Sequence, residues 1–127
     1  MHKKTLVLDL DETLVHSSFK VPQEECIVLP VEIDDKKFKV YVLVRPNAEK
    51  FLKIMQIYYE VIIYTASLSK YADPLMDILD SEKSVSARLF REHCTFYQGM
   101  YVKDLSELGR DLRDVIIVDN SPTAYLF

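Results

Sequence analysis

The chain has 127 residues, 49% of them apolar and 28% charged, with a formal net charge of −4. That length and balance fit one globular domain, residues 1–127, with enough apolar surface to bury a core. The negative charge gives no support for nucleic-acid binding, and no apolar run approaches the roughly 20 residues of a membrane span, so neither direct nucleic acid nor a membrane span is expected.

In chain order, Thr5–Leu10 reads as the first strand, almost continuously apolar as in a parallel sheet covered on both faces. It runs into Asp9-Leu10-Asp11-Glu12-Thr13, whose i, i+2 spacing can send two carboxylates toward one site as the chain leaves the strand. Val31, Ile33, Phe38, Val40, Val42 and Val44 then alternate around a polar Asp34-Asp35-Lys36-Lys37 turn, which predicts an inserted β-hairpin over about 27–44. Pro46 suits the first turn of a helix on which Phe51, Ile54, Met55 and Tyr58 recur at i, i+3, i+4, i+7. A second strand follows at Glu60–Thr65, then a helix capped by Ser69 with Ala72, Leu75, Met76 and Leu79 on one face. Val115–Val118 is a third strand, followed by Asp119-Asn120-Ser121-Pro122. Strand and helix alternating in this way predict an α/β sheet with right-handed crossovers.

In open α/β sheets, ligands bind at the carboxyl ends of the strands. Three strand ends deliver Asp9, Asp11, Thr65, Asp119 and Asn120 to one edge. Taken singly, each has an ordinary reading. An Asp-x-Asp pair can be a solvated turn, Thr65 a plain strand residue, Lys103 a surface cation, and Ser121-Pro122 the start of a helix. It is their joint strand register that points to a site.

Rival chemistries fail on the letters. An EF-hand loop beginning at Asp9 would need glycine at Leu14 and glutamate at Lys20. A cysteine-phosphatase loop at Cys94 would need arginine where Met100 stands. His2, His16 and His93 offer no zinc spacing with the two cysteines, and His93 reads as a local hydrogen-bonding residue. Cys26 and Cys94 stand apart, as reduced thiols do in nuclear or cytoplasmic proteins, and that location is expected. With only Gly99 and Gly109, no glycine-rich phosphate loop exists.

Asp9-Leu-Asp-Glu-Thr-Leu resembles the first motif of the haloacid dehalogenase superfamily, and Thr65, Lys103 and Asp119-Asn120 resemble its other three. More narrowly, the segments 7–16, Tyr-Thr-Ala-Ser (64–67), Tyr-Ala-Asp (71–73), 88–94, 101–105 and Asp-Asn-Ser-Pro (119–122) are similar to the small phosphatases of the RNA polymerase II C-terminal domain. The resemblance implies a parallel-sheet, Rossmann-like haloacid dehalogenase fold with the hairpin inserted after the first strand. Family members continue beyond Asp-Asn-Ser-Pro, so the C-terminal part is expected to be missing from a chain ending at Phe127.

It also implies a mechanism. Mg²⁺, a hard ion preferring oxygen, would be held by Asp9, the Asp11 backbone carbonyl and Asn120, with Asp119 sharing or supporting the coordination. Asp9 would attack phosphorus, Asp11 would act as acid and then base, and Thr65 and Lys103 would hold the non-bridging oxygens. Thr13 would brace the Asp9 loop. Arg91 lies where a second cation could hold substrate phosphate, and equally where an exposed structural arginine could stand. An apolar groove of Phe19, Val31, Ile33, Val40 and Leu68 would accept a proline near a phosphoserine, although taken alone these residues read as core. The expected activity is a Mg-dependent protein serine/threonine phosphatase working through an aspartyl phosphate. Its partner would be phosphoserine of the RNA polymerase II C-terminal domain or a similar proline-containing phosphopeptide. A small-metabolite phosphatase and a non-catalytic binding module remain open.

Overall fold

β1 (Lys4–Leu8) is the hub of the computed structural model, which describes residues 3–121. It pairs in parallel with β5 (Tyr59–Tyr64) on one side and β9 (Val115–Val118) on the other, and β6 (Ala87–Leu89) extends the sheet beyond β5. The register sets Leu6 beside Val61 and Leu8 beside Ile63, so these four share one face. That face packs on Ala48 and Leu52 of α1 (Ala48–Tyr58) and on Ala72, Leu75, Met76 and Leu79 of α2 (Ser69–Leu79).

α2 buries the face predicted for it, but α1 does not. Phe51, Ile54 and Tyr58 are exposed, while Ala48 and Leu52 face the sheet with Met55 partly buried beside them. The helix has two apolar stripes, and the sheet takes the one whose small Ala48 permits close approach. The starts are also offset. Pro46 lies in the turn before α1, whose N-cap is Asn47, and Leu68 rather than Ser69 precedes the first turn of α2.

The inserted unit has three strands, not two. β2 (Val15–Ser18) joins the hairpin of β3 (Ile27–Ile33) and β4 (Lys36–Val44) in the order β2-β4-β3. Its turn is tighter than predicted: only Asp34 and Asp35 lie between the strands, both at positive φ (51° and 62°), the geometry of a two-residue hairpin turn. Cross-strand partners point the same way, so Leu29, Val31, Val40 and Val42 form one inward face, and β3 packs against α2. Val31 and Val40, expected in a groove, are therefore core residues, 5% and 8% exposed. Alternation told which residues share a face, but not which face would be covered.

A second hairpin, β7 (Thr95–Tyr97) and β8 (Met100–Val102), turns at Gln98-Gly99 and buries Val102 completely. It leads straight into Lys103.

Candidate active site

The parallel ladder runs one residue past β1, because the Asp9 amide donates to the Val118 carbonyl at 3.0 Å. This fixes the Asp9 backbone at the carboxyl edge. The chain then folds over the Leu10 carbonyl, which accepts from the amides of Thr13, Leu14 and Val15, while Leu10 and Leu14 anchor the loop in the core. Glu12 makes the reversal at φ 64°, a conformation costing a non-glycine residue about 1–2 kcal/mol. The reversal brings the Thr13 hydroxyl back to donate to Asp9 Oδ2 at 3.2 Å.

Lys103, 3% exposed, donates to Asp9 Oδ1 at 3.0 Å and to Asp119 Oδ2. The other Asp119 oxygen accepts from the Ser121 amide at 3.0 Å. Burial pushes the Asp9 carboxyl above its ordinary value, outweighing the Lys103 ammonium, and Asp119 adds to the rise.

Thr65, 1% exposed, follows β5; its amide is fixed to the Leu89 carbonyl, and its hydroxyl oxygen accepts from the Ser67 amide at 3.0 Å. Asp11 is held from the α2 side, where Ser67 Oγ donates to Oδ2 and the Tyr71 hydroxyl to Oδ1 at 2.8 Å. Arg91 donates from Nε to the Ala66 carbonyl at 2.7 Å, with its guanidinium 4.9 Å from the Tyr101 ring centre. His93 is a local residue: its Nδ1 accepts from the Phe90 amide and its carbonyl from the Tyr64 hydroxyl.

Asp9, Asp11, Thr65, Arg91, Lys103, Asp119 and Asn120 line one hollow of about 320 Å³. Ser67 and Tyr101 also line it, and sequence reasoning assigned neither a role. The expected groove residues are elsewhere. Phe19 is 67% exposed, stacks on Phe38 at 5.9 Å, and lines a separate hollow with Lys37, Lys39 and Tyr41. Leu68 is 38% exposed at the start of α2, and Ile33 packs half-buried against the core.

Among the described residues, no buried side-chain nitrogen or oxygen lacks a hydrogen-bond partner. Asp9, Asp11, Glu12 and Asp119 face two cations, Arg91 and Lys103. A phosphate dianion would meet excess negative charge there unless a further cation joined it. Among the described residues, no three His, Cys, Asp or Glu side chains converge on one point. The donors available are instead the carboxylates of Asp9 and Asp119, the Asn120 amide and the Asp11 carbonyl. All are oxygens, a set that fits a hard divalent ion.

The family model for "NLI interacting factor-like phosphatase" matches residues 4–127. The chain is 55% identical over 127 residues to "Phosphatase Herzog" of Drosophila melanogaster, covering 100% of this chain and 36% of that protein. It is 56% identical over 125 residues to "Carboxy-terminal domain RNA polymerase II polypeptide A small phosphatase 1" of Homo sapiens, covering 98% of this chain and 48% of the relative. The chain thus spans about a third to a half of the length of these relatives. A solved structure of Fcp1, "an essential RNA polymerase II CTD phosphatase", superposes with a TM-score of 0.81 at 20% identity, over 97% of this chain and 39% of that one. The fission yeast Fcp1 structure bound to beryllium fluoride gives 0.83, also at 20% identity, over 97% and 38%. These likenesses show the fold to be the expected α/β haloacid dehalogenase-like architecture.

Proposed function

We propose, for a chain that belongs to the NLI interacting factor-like phosphatase family, that it hydrolyses phosphoserine or phosphothreonine in proteins through an aspartyl phosphate, an acyl phosphate formed on Asp9. The observation that carries this reading is a buried, pre-positioned carboxylate whose neighbours supply every other role: Lys103 and Thr13 hold Asp9, with Thr65 and Asp11 lining the same hollow.

In the first half-reaction an Asp9 oxygen bonds to phosphorus, the bond to the serine oxygen breaks, and Asp11 gives that oxygen its proton. In the second, water attacks the same phosphorus, Asp11 takes the water's proton, and Asp9 is released with inorganic phosphate. Lys103 and the free O–H of Thr65 hold the non-bridging oxygens as charge gathers on them. Arg91, stacked on Tyr101, presents a second cation to the same hollow. Asp9, Asp119, Asn120 and the Asp11 carbonyl would hold Mg²⁺, which when bound offsets repulsion between the Asp9 carboxylate and the dianion.

The substrate class follows from the relatives whose names specify the RNA polymerase II C-terminal domain, and the proposed partner is that repeat or a similar proline-containing phosphopeptide. A nuclear or cytoplasmic location accompanies it. Among the described residues, no helix is long and apolar enough to cross a membrane.

The test compares a phosphoserine peptide panel with a set of small phosphate metabolites, each with Mg²⁺ and with excess chelator. Mg-dependent turnover favouring peptides is expected, with acid-quenched enzyme carrying labelled phosphate on Asp9. Turnover favouring metabolites would replace the substrate class. No turnover of either set, with phosphopeptide binding retained, would make this a binding module.

A further inference from the structure

Two stretches singled out in the sequence, Tyr64–Ser67 and Tyr71–Asp73, are only partly used by the mechanism above, since just Thr65 among them has a part in it. Ser67 lies in the loop after β5, and Tyr71 in the first turn of α2, four residues on. They reach across 56 and 60 residues of sequence to opposite oxygens of one carboxylate, that of Asp11.

We propose that Ser67 and Tyr71 are positioning residues, a pair of hydroxyls that orients Asp11 for both of its proton transfers. The inference rests on the phosphatase reading. Asp11 emerges from a loop and is only half-buried, so its own backbone does not settle where its carboxyl points. The two partners are better anchored. Ser67 is tied by its amide to Thr65 Oγ1, and its carbonyl accepts from the Arg91 amide at 3.1 Å. The Tyr71 ring packs against the buried core, leaving only its hydroxyl at the site.

The choice of hydroxyls has a chemical reason. Asp11 must be protonated in one half-reaction and ionised in the next. An ammonium or guanidinium would favour the ionised form by its charge and so oppose the protonated one. A hydroxyl donates to a carboxylate and accepts from a carboxylic acid, so the clamp keeps its grip in both states.

A clamp of this kind should matter most where proton transfer matters most. A serine alkoxide is a poor leaving group that needs an acid, whereas p-nitrophenolate leaves with little help. Tyr71→Phe and Ser67→Ala would be compared with the unaltered protein by rapid quench on a phosphoserine peptide and on p-nitrophenyl phosphate. Phosphorylation by the peptide should slow about ten- to a hundredfold, a part of what general acid–base catalysis supplies. The p-nitrophenolate burst should lose about tenfold less than that, while the later hydrolysis of the phosphoenzyme slows on both substrates. Ser67→Thr, which keeps the hydroxyl, should recover most of the rate. Equal losses in both bursts, or full activity in both variants, would overturn the clamp alone. An unaltered protein that hydrolyses neither ester would overturn the phosphatase reading, and the clamp's role with it.

Discussion

The carboxyl edge of the parallel sheet and the inserted β2-β4-β3 sheet are built on opposite plans. At the edge, charged and polar groups are taken out of water and held: Asp9, Thr65 and Lys103 are all buried, and each is bonded to fixed partners. In the inserted sheet the interior is purely apolar, with Leu29, Val31, Val40 and Val42, and the polar and aromatic groups lie outside. Chemistry needs fixed charges in a low dielectric, which only a rigid, fully satisfied frame supports. Selecting a peptide needs accessible surface, which the outer residues of an inserted sheet can vary without disturbing that frame. The contrast can be broken from either side.

The largest effect should come from Asp9→Asn, which keeps the shape and removes the carboxylate proposed as nucleophile. Turnover should fall roughly a thousandfold or more. Because burial already disfavours the charged form of Asp9, the neutral amide should leave thermal stability equal or higher. A Tm that collapses together with activity would mean that Asp9 is structural.

Lys103→Met comes next, since it strands two buried carboxylates that share one ammonium. Breaking a buried pair in this way costs about 3–5 kcal/mol, read as a lower urea midpoint, with activity lost as well. Adding Asp119→Asn should restore part of the stability by removing one stranded charge, without restoring activity. Strict additivity of the two substitutions would show that the pair is uncoupled.

How far the sequence showed these differences depends on range. Asp9, Thr65 and Asp119 were legible because each ends a continuous apolar run, and strand ends converge by topology. The Lys103 bridge was not, because its partners lie 94 and 16 residues away and no periodicity connects them. The Asp11 clamp was half legible: its residues stood in recognised motifs, but only the fold shows that the start of α2 faces the loop after β1. The α1 stripe misled because Phe51, Ile54 and Tyr58 satisfy the helical period as well as Ala48, Leu52 and Met55 do, and only the sheet chooses between them.

Val31→Ala and Val40→Ala test the interior of the inserted sheet. Each removes two buried methyl groups and should cost about 2 kcal/mol. In a domain of this size that lowers Tm by roughly 5–10 °C, with turnover per folded molecule retained. A selective loss of peptide hydrolysis at unchanged Tm would return these valines to the substrate groove.

The smallest effect is expected at two exposed apolar residues, Phe19 just past β2 of that sheet and Leu68 at the start of α2. Phe19 is 67% exposed and Leu68 38%, so replacing either by serine removes little buried area, and for Phe19 one ring contact with Phe38 worth about 1 kcal/mol. Stability should therefore fall by at most about 1 kcal/mol, and a kinetic change measured per folded molecule reports binding rather than folding. An apolar contact with a substrate proline is worth roughly 1–3 kcal/mol, so kcat/KM for a proline-containing phosphopeptide should fall about tenfold or somewhat more. A small aryl phosphate reaches only the hollow at the sheet edge, which neither residue lines, so its loss should be much the smaller of the two. Phe19 lines a hollow with Lys37 and Lys39, separate from the one at the sheet edge; the attraction of those two lysines for acidic peptide residues should weaken as salt rises, while the apolar contact of Phe19 should not. Equal losses on both substrates would show that these two residues act through the frame of the site, and the division between a fixed edge and a selecting surface would fall.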